Sequence, residues 1–572
     1  MFAIFGNLKT NISPLFMNKK LLIGLFVFIN SLAFAQTPVW TWSKSHSARI
    51  NNNSNIASIK DASGNIYVCG EFEGTVNYGG VNTTALGFVD LYVSKFDQAG
   101  TLLWTKTYGG ASNTMYPGGL AQDQAGNIYL SGSFSFAINI GFQTYLSAGN
   151  KDGYLIKIAP DGTHMWAKTF GSSGIEDCKS ISSYGNNLYV VGGYFGSFNV
   201  DGTTLPTSTS NSFDAFVIAM DSSGTATWAS HGGGAGEDYF KSVFVDQNAV
   251  YAGGYVTGSS TFGTYTLNTG GGANDIAFAK LSLTGTFTYA KRIGGASTDQ
   301  VNAIGADNAG NIFIGGGFYA TVNFGNSIIL SETGAPNGAN GDGYIAKFDP
   351  AGLCLWARKM GSSITDDGTN NISVSPNGYV YACGFYHGSV VLTSTVTPQV
   401  TLTTIGGMDG FYVKYNPSGS ILWAIKAGNS NDDRAKVIVR DENGYCFALG
   451  IFYGNLVLGS LPAVTSSAVP NTTSTYIARL NGFTTGIVES KANINFSMFP
   501  NPSSGNVQIE LPTGKFINEV EVFNVTGQRV FNSEFTLPMQ KTSVDLNNLS
   551  PGIYLVKVLT PEGYVSKSLE IQ

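Results

Sequence analysis

Apolar and polar residues alternate over short segments of this chain, and an arrangement of four such segments recurs along most of its length. One repeat unit shows the arrangement clearly, with segments at 301–307, 311–318, 342–349 and 353–360. Alternation with a period of two predicts strands that each have one buried face. The variable stretch 320–340, between the second and third segments, is predicted to hold a small hairpin.

A short phrase marks each unit: an Asp, two residues, a Gly, three residues and an aromatic residue. It is clearest at Asp349, Gly352 and Trp356. Asp caps tight turns and Gly takes their left-handed position, so the phrase predicts a turn between the third and fourth strands. The aromatic residue is predicted to fill the space between neighbouring sheets. Its copies are Trp104, Trp166, Trp228, Tyr289, Trp356 and Trp423, at spacings of 62, 62, 61, 67 and 67 residues.

Internal repeats of this length indicate a single repetitive architecture rather than several ordinary domains. An aromatic residue in the second strand counts seven units: Tyr67, Tyr129, Tyr189, Tyr251, Phe313, Tyr381 and Phe447. The seventh unit lacks a fourth strand, and a matching segment with Trp42 lies at 38–45, near the amino end. We therefore predict an all-β ring of seven four-stranded sheets over residues 36–480, closed by the amino-terminal strand. The alternative is an open solenoid, which would need a capping repeat at both ends.

The phrases at 342–356 and 294–316 resemble the bacterial seven-bladed β-propeller repeat family, and the resemblance covers residues 38–480. It implies a seven-bladed β-propeller, and members of that family are generally extracellular. Many of them have no assigned activity, so the resemblance supports the fold more than any chemistry.

The amino end has the three parts of a secretory signal: the basic pair Lys19 and Lys20, an apolar run at 21–34, and a cleavage site that ends at Ala35. Residues 1–35 are predicted to be a signal peptide, with Met17 as a possible true start. The apolar run is short for a bilayer span, so a retained membrane anchor is the weaker alternative. The mature chain is predicted to have no transmembrane helix.

The carboxyl end departs from the repeat. Residues 481–494 are predicted to be a linker, and residues 495–572 a small antiparallel β-sandwich. This segment resembles the type A carboxyl-terminal sorting domain of the type IX secretion system. The residues that carry the resemblance are Phe499, Pro500, Asn501, Pro502, Gly527, Pro551, Gly552 and Tyr554.

The resemblance implies a Bacteroidetes-type bacterium, Sec export, and type IX secretion machinery as a partner. It also implies a product that is secreted or attached to the outer-membrane surface. A generic immunoglobulin-like adhesion module is the alternative interpretation of this segment.

Composition narrows the range of functions. The formal net charge of −6 argues against a nucleic-acid surface, which would need clustered Lys and Arg. Cys69 and Cys383 occupy the same place in their units and are predicted to be buried core residues.

Carboxylates recur about ten residues after the aromatic residue of the phrase, in the loop that leads to the next unit. We expect them to ring one mouth of a central channel, on the same face as the Asp residues that open the third strands. Such a ring could hold Ca²⁺ or recognise a cationic or sugar ligand. The alternative is that each carboxylate binds loop amides and sets the spacing between sheets. The candidate binding residues are Glu176, Asp177, Asp238, Asp299, Asp366, Asp367, Asp432 and Asp433.

No motif for catalysis stands out. The four histidines, His46, His164, His231 and His387, lack partners at metal-ligand spacing. The sequence contains neither a Gly-x-Ser-x-Gly nucleophile elbow nor a Walker phosphate loop. We therefore predict no catalytic residues, no metal site and no cofactor, with Ca²⁺ as the one ion considered.

The predicted function is a non-catalytic binding or adhesion module for a glycan or a protein. Two alternatives remain open from the sequence. One is an extracellular polysaccharide-active hydrolase or lyase that uses carboxylates at the channel mouth, and the other is a scaffold without a ligand.

Overall fold

The computed structural model describes residues 38–50, 55–78, 81–111, 114–208, 211–268, 273–333, 340–363, 365–394, 399–441, 444–466, 473–481, 496–524, 529–560 and 563–572. The predicted signal peptide, and the predicted linker apart from residue 481, lie outside these residues. Every regular element among the described residues is a β-strand. The chain divides into two compact units, Thr37–Thr484 and one that includes Thr485–Gln572, and each is described by itself.

The larger unit contains β1 (Trp40–Ile50) followed by seven sets of strands. Set 1 has β2 (Ile56–Lys60), β3 (Ile66–Phe72), β4 (Thr75–Tyr78), β5 (Val81–Thr84), β6 (Asp90–Phe96) and β7 (Leu102–Tyr108). Set 2 has β8 (Thr114–Gln122), β9 (Ile128–Ser135), β10 (Ala137–Ile140), β11 (Gln143–Leu146), β12 (Asp152–Ile158) and β13 (His164–Phe170). Set 3 has β14 (Ile175–Tyr184), β15 (Asn187–Phe195), β16 (Phe198–Val200), β17 (Thr203–Leu205), β18 (Asp214–Met220) and β19 (Ala226–Gly234).

The remaining sets continue this order. Set 4 has β20 (Asp238–Val245), β21 (Val250–Val256), β22 (Ser260–Phe262), β23 (Tyr265–Leu267), β24 (Asp275–Leu281) and β25 (Phe287–Ile293). Set 5 has β26 (Asp299–Ala306), β27 (Ile312–Phe318), β28 (Thr321–Gly325), β29 (Ile328–Ser331), β30 (Asp342–Phe348) and β31 (Cys354–Gly361). Set 6 has β32 (Gly368–Val374), β33 (Val380–Leu392), β34 (Val400–Tyr415) and β35 (Ile421–Ala427). Set 7 has β36 (Arg434–Arg440), β37 (Cys446–Phe452), β38 (Asn455–Leu456), β39 (Val464–Thr465) and β40 (Thr473–Leu480).

The four main strands of sets 1 to 6 pair antiparallel in chain order, as β2-β3-β6-β7 do in set 1. The predicted hairpin between the second and third main strands is present in set 5 as β28 and β29. In set 6 the long strands β33 and β34 run through that position instead. In set 7, β40 lies between β37 and β1, with Trp42 opposite Arg479 and Ser45 opposite Tyr476.

The first strands of the seven sets contact one another in order, and we call these seven the inner strands. They are β2, β8, β14, β20, β26, β32 and β36, and β36 in turn contacts β2. Buried apolar clusters lie between consecutive sets. A further cluster joins set 7 to set 1 through Leu449 and Ile477 on one side and Val68 and Phe72 on the other. Burial of these apolar surfaces is the main favourable term that holds the sets together.

The repeated tryptophan joins each sheet to the next one, as the sequence predicts. Trp42 Nε1 donates to the Gln98 carbonyl at 2.9 Å, and Trp228 Nε1 donates to the Leu283 carbonyl at 3.0 Å. Its ring packs over the turn glycine of the next unit, whose φ is positive. A Cβ at Gly100 (φ +80°) would lie 2.8 Å from Trp42 Cε3. Glycine is therefore required at this turn for two reasons: the backbone has a positive φ, and the indole ring leaves no space for a side chain.

The cysteines are free and buried, as predicted for Cys69 and Cys383, which are both 0% exposed.

The smaller unit has two antiparallel sheets around one apolar core. Its strands are β41 (Ser497–Phe499), β42 (Asn506–Glu510), β43 (Ile517–Phe523), β44 (Arg529–Met539), β45 (Lys541–Asp545), β46 (Gly552–Thr560) and β47 (Gly563–Ile571). One sheet has the order β41-β42-β45 and the other β44-β43-β46-β47.

Candidate functional site

Five of the eight candidate carboxylates lie buried at or just before the start of an inner strand. Each accepts a hydrogen bond from a loop amide a few residues earlier in the chain. The acceptor–donor pairs are Glu176 with Ser172 (3.0 Å), Asp238 with Gly234 (2.7 Å), Asp299 with Gly295 (2.9 Å), Asp367 with Ser362 (2.5 Å) and Asp433 with Asn429 (2.6 Å). Such contacts fix the loop between two sets, which favours the structural alternative for these five residues. A binding role for them stays a prediction.

The structure corrects one alignment made from the sequence. A spacing of ten residues after Trp356 selects Asp366, but the residue equivalent to Glu176 and Asp238 is Asp367. The Asp367 amide donates to the Gly341 carbonyl, just as the Asp238 amide donates to Phe213. The loop after β31 is one residue longer than its counterparts, so the spacing rule selects the wrong neighbour. Asp366 itself is exposed and accepts a hydrogen bond from the Gly341 amide.

Each buried acid of these loops lies close to the Asp that opens the third strand of the preceding set. Burial, with a smaller contribution from the neighbouring carboxyl group, raises the pKa of Glu176, Asp238 and Asp299 to about 7. These neighbours are Asp152, Asp214 and Asp275, respectively. Burial likewise raises the pKa of Asp433 to about 8. A buried carboxyl group that keeps its proton near neutral pH is a poor ligand for a cation.

Two of the remaining candidate acids have local partners as well. Asp177 lies between two ammonium groups, 3.3 Å from Lys151 Nζ and 2.6 Å from Lys179 Nζ. Asp432 is exposed and accepts a hydrogen bond from the Met408 amide at 3.0 Å. Within the described residues, no three His, Cys, Asp or Glu side chains gather as a metal site requires, and Ca²⁺ stays a prediction.

The seven inner strands line one cavity of about 1050 Å³, which we call the central cavity. Residues of every inner strand line it, from Ile56 on β2 to Val437 on β36. Its volume lies just above the range of roughly 300–1,000 Å³ that is typical of small-molecule sites. It is therefore the candidate functional site of the larger unit.

Six inner strands carry a β-bulge at one equivalent position, where one residue interrupts the register with the second strand. A bulge leaves its extra residue unpaired and can redirect a side chain, and bulges are common beside functional sites. All six residues line the central cavity, and we call them the bulge tier. They are Gly118, Lys179, Lys241, Asn302, Asn370 and Lys436.

Polar contacts link part of the bulge tier around the cavity. Lys241 Nζ donates to Asn302 Oδ1 at 2.8 Å and to Gln300 Oε1 at 3.0 Å. Asn302 Nδ2 donates to the Thr369 carbonyl, and Asn370 Nδ2 donates to the Ala435 carbonyl. Each of these bonds runs from one set to the next, so they hold the tier in a defined arrangement.

The charge of the cavity wall is opposite to that of the chain. The described lining includes five lysines and three aspartates, whereas the chain has 31 Lys and Arg against 37 Asp and Glu. Burial, with a smaller contribution from nearby Lys179, lowers the pKa of Lys241 to about 8. Burial and nearby Arg434 lower the pKa of Lys436 to about 8, against an opposing effect of Glu71. The excess of lysines over aspartates in the lining therefore gives the wall a net positive charge.

Aromatic rings accompany these cations. Lys151 Nζ lies 4.3 Å from the ring centre of Tyr116, and Lys179 Nζ lies 5.9 Å from that of Tyr239. Tyr239 also packs against Phe213 and stacks on Tyr255, with ring centres 5.0 and 5.5 Å away. Cations over aromatic faces are stabilised by the ring quadrupole, so these rings help to position the lysines.

Sequence reasoning missed the lysines of the bulge tier. A signal was present, because Lys179, Lys241 and Lys436 each stand 13 residues after Trp166, Trp228 and Trp423. An isolated lysine in an alternating strand is ordinarily interpreted as a solvent-facing residue, and only the bulge turns this position toward the cavity.

Several residues that carry the resemblance to the sorting domain make structural contacts within the smaller unit. Asn501 Nδ2 donates to the Ser568 carbonyl at 2.7 Å, and its Oδ1 accepts from the Glu570 amide at 3.0 Å. Tyr554 is buried, and its hydroxyl donates to the Ser550 carbonyl, one residue before Pro551. The other motif positions are as follows: Phe499 ends β41, cis peptide bonds precede Pro500 and Pro502, and Gly552 begins β46. Gly527 lies outside the described residues.

No helix among the described residues is long and apolar enough to cross a membrane.

Two family models match parts of this chain. Residues 497–572 match the secretion system C-terminal sorting domain, and residues 103–133 match the β-propeller repeat. An uncharacterized WD repeat-containing protein, L264, of Acanthamoeba polyphaga mimivirus is 26% identical over 443 residues, which cover 65% of this chain and 32% of the viral protein. The chain thus spans about a third of the length of that curated relative.

Two solved structures are also similar. A candidate 6-phosphogluconolactonase from Bacteroides fragilis has 11% identity and a TM-score of 0.32, with 83% of this chain and 97% of that chain covered. A member of the duf4221 family from Bacteroides vulgatus has 7% identity and a TM-score of 0.29, with 78% of this chain and 98% of that chain covered.

Proposed function

We propose that this chain, a β-propeller repeat protein that a C-terminal sorting domain directs through type IX secretion, is a non-catalytic binding module for a glycan or a protein. The sorting domain at 497–572 places the product at the cell surface or in the extracellular space. It also implies an interaction with the type IX secretion machinery. The binding role is the proposal, and the central cavity is its site.

The proposed architecture is a closed seven-bladed propeller, in which each set is one blade. Three observations support closure. β1 pairs with β40, the inner strand β36 contacts β2, and an apolar cluster joins set 7 to set 1. Closure by radial repetition leaves only short sheet edges, which limits edge-to-edge aggregation.

One observation carries the binding proposal: a single cavity that all seven inner strands line with polar and charged side chains. The bonds of Lys241 to Gln300 and Asn302 account for one lysine of the cavity wall. Lys436, however, has no such partner among the described residues of the wall, and its partly buried ammonium group costs free energy. The presence of Lys436 favours a ligand that interacts with it.

The hydrolase or lyase considered from the sequence has weaker support. Its carboxylates would have to act on a bound substrate, but Glu176, Asp238 and Asp299 are buried and bonded to loop amides. Similar pairs of acids recur from set to set, which is typical of a structural role rather than of one active site.

The test is a ligand screen with the full chain as it is secreted, using a glycan array and a pull-down from proteins of the cell surface. We expect at least one ligand, whose binding falls when Asn302→Ala and Asn370→Ala remove two amide groups of the cavity wall. Lys106→Ala is the control, because Lys106 is exposed on the outer strand β7. Failure to bind any ligand, or binding that the cavity substitutions leave unchanged, would refute the proposal.

A further inference from the structure

The lysines that line the central cavity outnumber its aspartates by five to three, so the wall keeps a net positive charge. Asp177 is shared by Lys151 and Lys179, so that group of three keeps one net positive charge. Lys241 is bonded to two neutral amide oxygens, from Gln300 and Asn302. Amide oxygens stabilise an ammonium group but do not cancel its charge, so Lys241 adds a second positive charge.

Lys436 adds a third positive charge to the cavity wall. Within the described part of the chain its ammonium group has neither a hydrogen bond nor an ion pair, although the residue lines the cavity. The pKa effects noted above show that Arg434 opposes its charge and Glu71 favours it. An anion in the cavity would be surrounded by a wall that carries several cations, at a reduced dielectric that strengthens the attraction.

The groups beside the lysines indicate what kind of anion would fit. Asn370 and Asn371 line the same wall as Gln300 and Asn302. Amide side chains offer both donors and acceptors, which suits the hydroxyl groups of a sugar. A bare sulfate ion accepts hydrogen bonds only, and it is also small for a cavity of about 1050 Å³.

We infer that the central cavity binds an acidic saccharide, whose carboxylate or sulfate groups contact Lys179, Lys241 and Lys436 and whose hydroxyl groups contact the neighbouring amide side chains. The inference rests on the proposed binding function and specifies the class of ligand. It replaces the cationic ligand that the carboxylate rim alone would suggest, because five acids of that rim are buried and Asp177 is paired with two lysines.

The experiment measures binding of the full chain to four probes by calorimetry: an oligogalacturonide, a sulfated oligosaccharide, a neutral oligosaccharide of equal length, and inorganic sulfate. We expect one or both acidic saccharides to bind, and their affinity to fall as salt is added. Lys241→Gln and Lys436→Gln should each lower that affinity roughly ten- to a hundred-fold, because a hydrogen bond to a charged group is lost. The carboxylated and sulfated probes identify which anion is preferred.

Matched variants separate charge from folding. Lys241→Arg keeps the charge and should retain most of the affinity, whereas Lys106→Gln removes a charge from an outer strand and should change nothing. Gln at position 241 keeps a polar donor in the wall, and an unchanged circular dichroism spectrum checks that the fold is retained.

The outcomes distinguish the two proposals. Equal binding of neutral and acidic saccharides, or affinity that survives both Lys→Gln changes, overturns the inference but leaves a binding module. Tight binding of inorganic sulfate with no saccharide binding also overturns it. Failure of every probe here and of every ligand in the wider screen overturns the binding function itself.

Discussion

The turn glycine beneath Trp42 offers a direct test of how the amino-terminal strand joins the rest of the larger unit. Gly100 has a φ of +80°, and a Cβ there would lie 2.8 Å from Trp42 Cε3. Gly224 has a φ of +74°, and a Cβ there would lie 2.6 Å from Trp166 Cη2. Gly258 has a φ of +77° with no atom within 4 Å of that position. The three sites share a backbone conformation and differ in what lies above it.

The expected costs follow from those distances. Alanine at Gly258 should lower the free energy of unfolding only through its left-handed backbone conformation, by about 1–2 kcal/mol. Alanine at Gly100 or Gly224 adds overpacking against an indole ring, about 1–3 kcal/mol more. The free energy of unfolding should therefore fall by about 2–5 kcal/mol in Gly100→Ala and Gly224→Ala.

The assay is equilibrium unfolding in urea, followed by far-ultraviolet circular dichroism. A double-mutant cycle with Trp42→Ala isolates the contact, since without the indole ring Gly100→Ala should cost no more than Gly258→Ala. Equal losses in Gly100→Ala and Gly258→Ala, with a larger loss only in Gly224→Ala, would refute the packing of Trp42 on set 1. Closure of the ring by β1 would then lose one of its supports.

Three further predictions concern titration, cysteine chemistry and export. The pKa of Asp238 is raised to about 7, so the folded chain holds a proton that the unfolded chain releases above about pH 4, and stability from this group falls as pH rises through 7. Asp238→Asn should thus be less harmful at pH 8 than at pH 5, by about 2 kcal/mol in urea unfolding, and a penalty independent of pH would contradict the shift. The free cysteines are buried, so a thiol reagent should label none in the folded chain and five after unfolding; rapid labelling of the folded chain would show the burial to be wrong. Deleting residues 497–572 should leave the protein in the periplasm on cell fractionation, whereas surface delivery of the truncated chain would disprove the role of the sorting domain.

The repeat was predictable from the sequence because turn chemistry and strand alternation are local. The segments predicted at 301–307 and 311–318 correspond to β26 and β27, within two residues at every end. The tryptophan contact between sheets was predictable too, since a large aromatic residue that recurs once per unit is expected to be buried where two units meet.

The candidate site was less predictable, for two physical reasons. The partners of a carboxylate depend on the loop around it, so the sequence could not show that Glu176 binds the Ser172 amide or that Asp177 lies between two lysines. A bulge changes which way a side chain points without changing the residue pattern, so Lys241 and Lys436 looked like ordinary surface residues. One extra residue before Asp367 was also enough to shift the spacing rule to Asp366.

The pairing of Trp40 opposite Leu480 brings the two ends of the larger unit to neighbouring positions on one sheet. A peptide bond between such ends would add little strain, and the chain could then begin instead at any hairpin tip without loss of a single strand pair. The position at which the polypeptide begins should therefore have little effect on the stability of the larger unit. A circularly permuted gene would be expected to yield the same folded molecule.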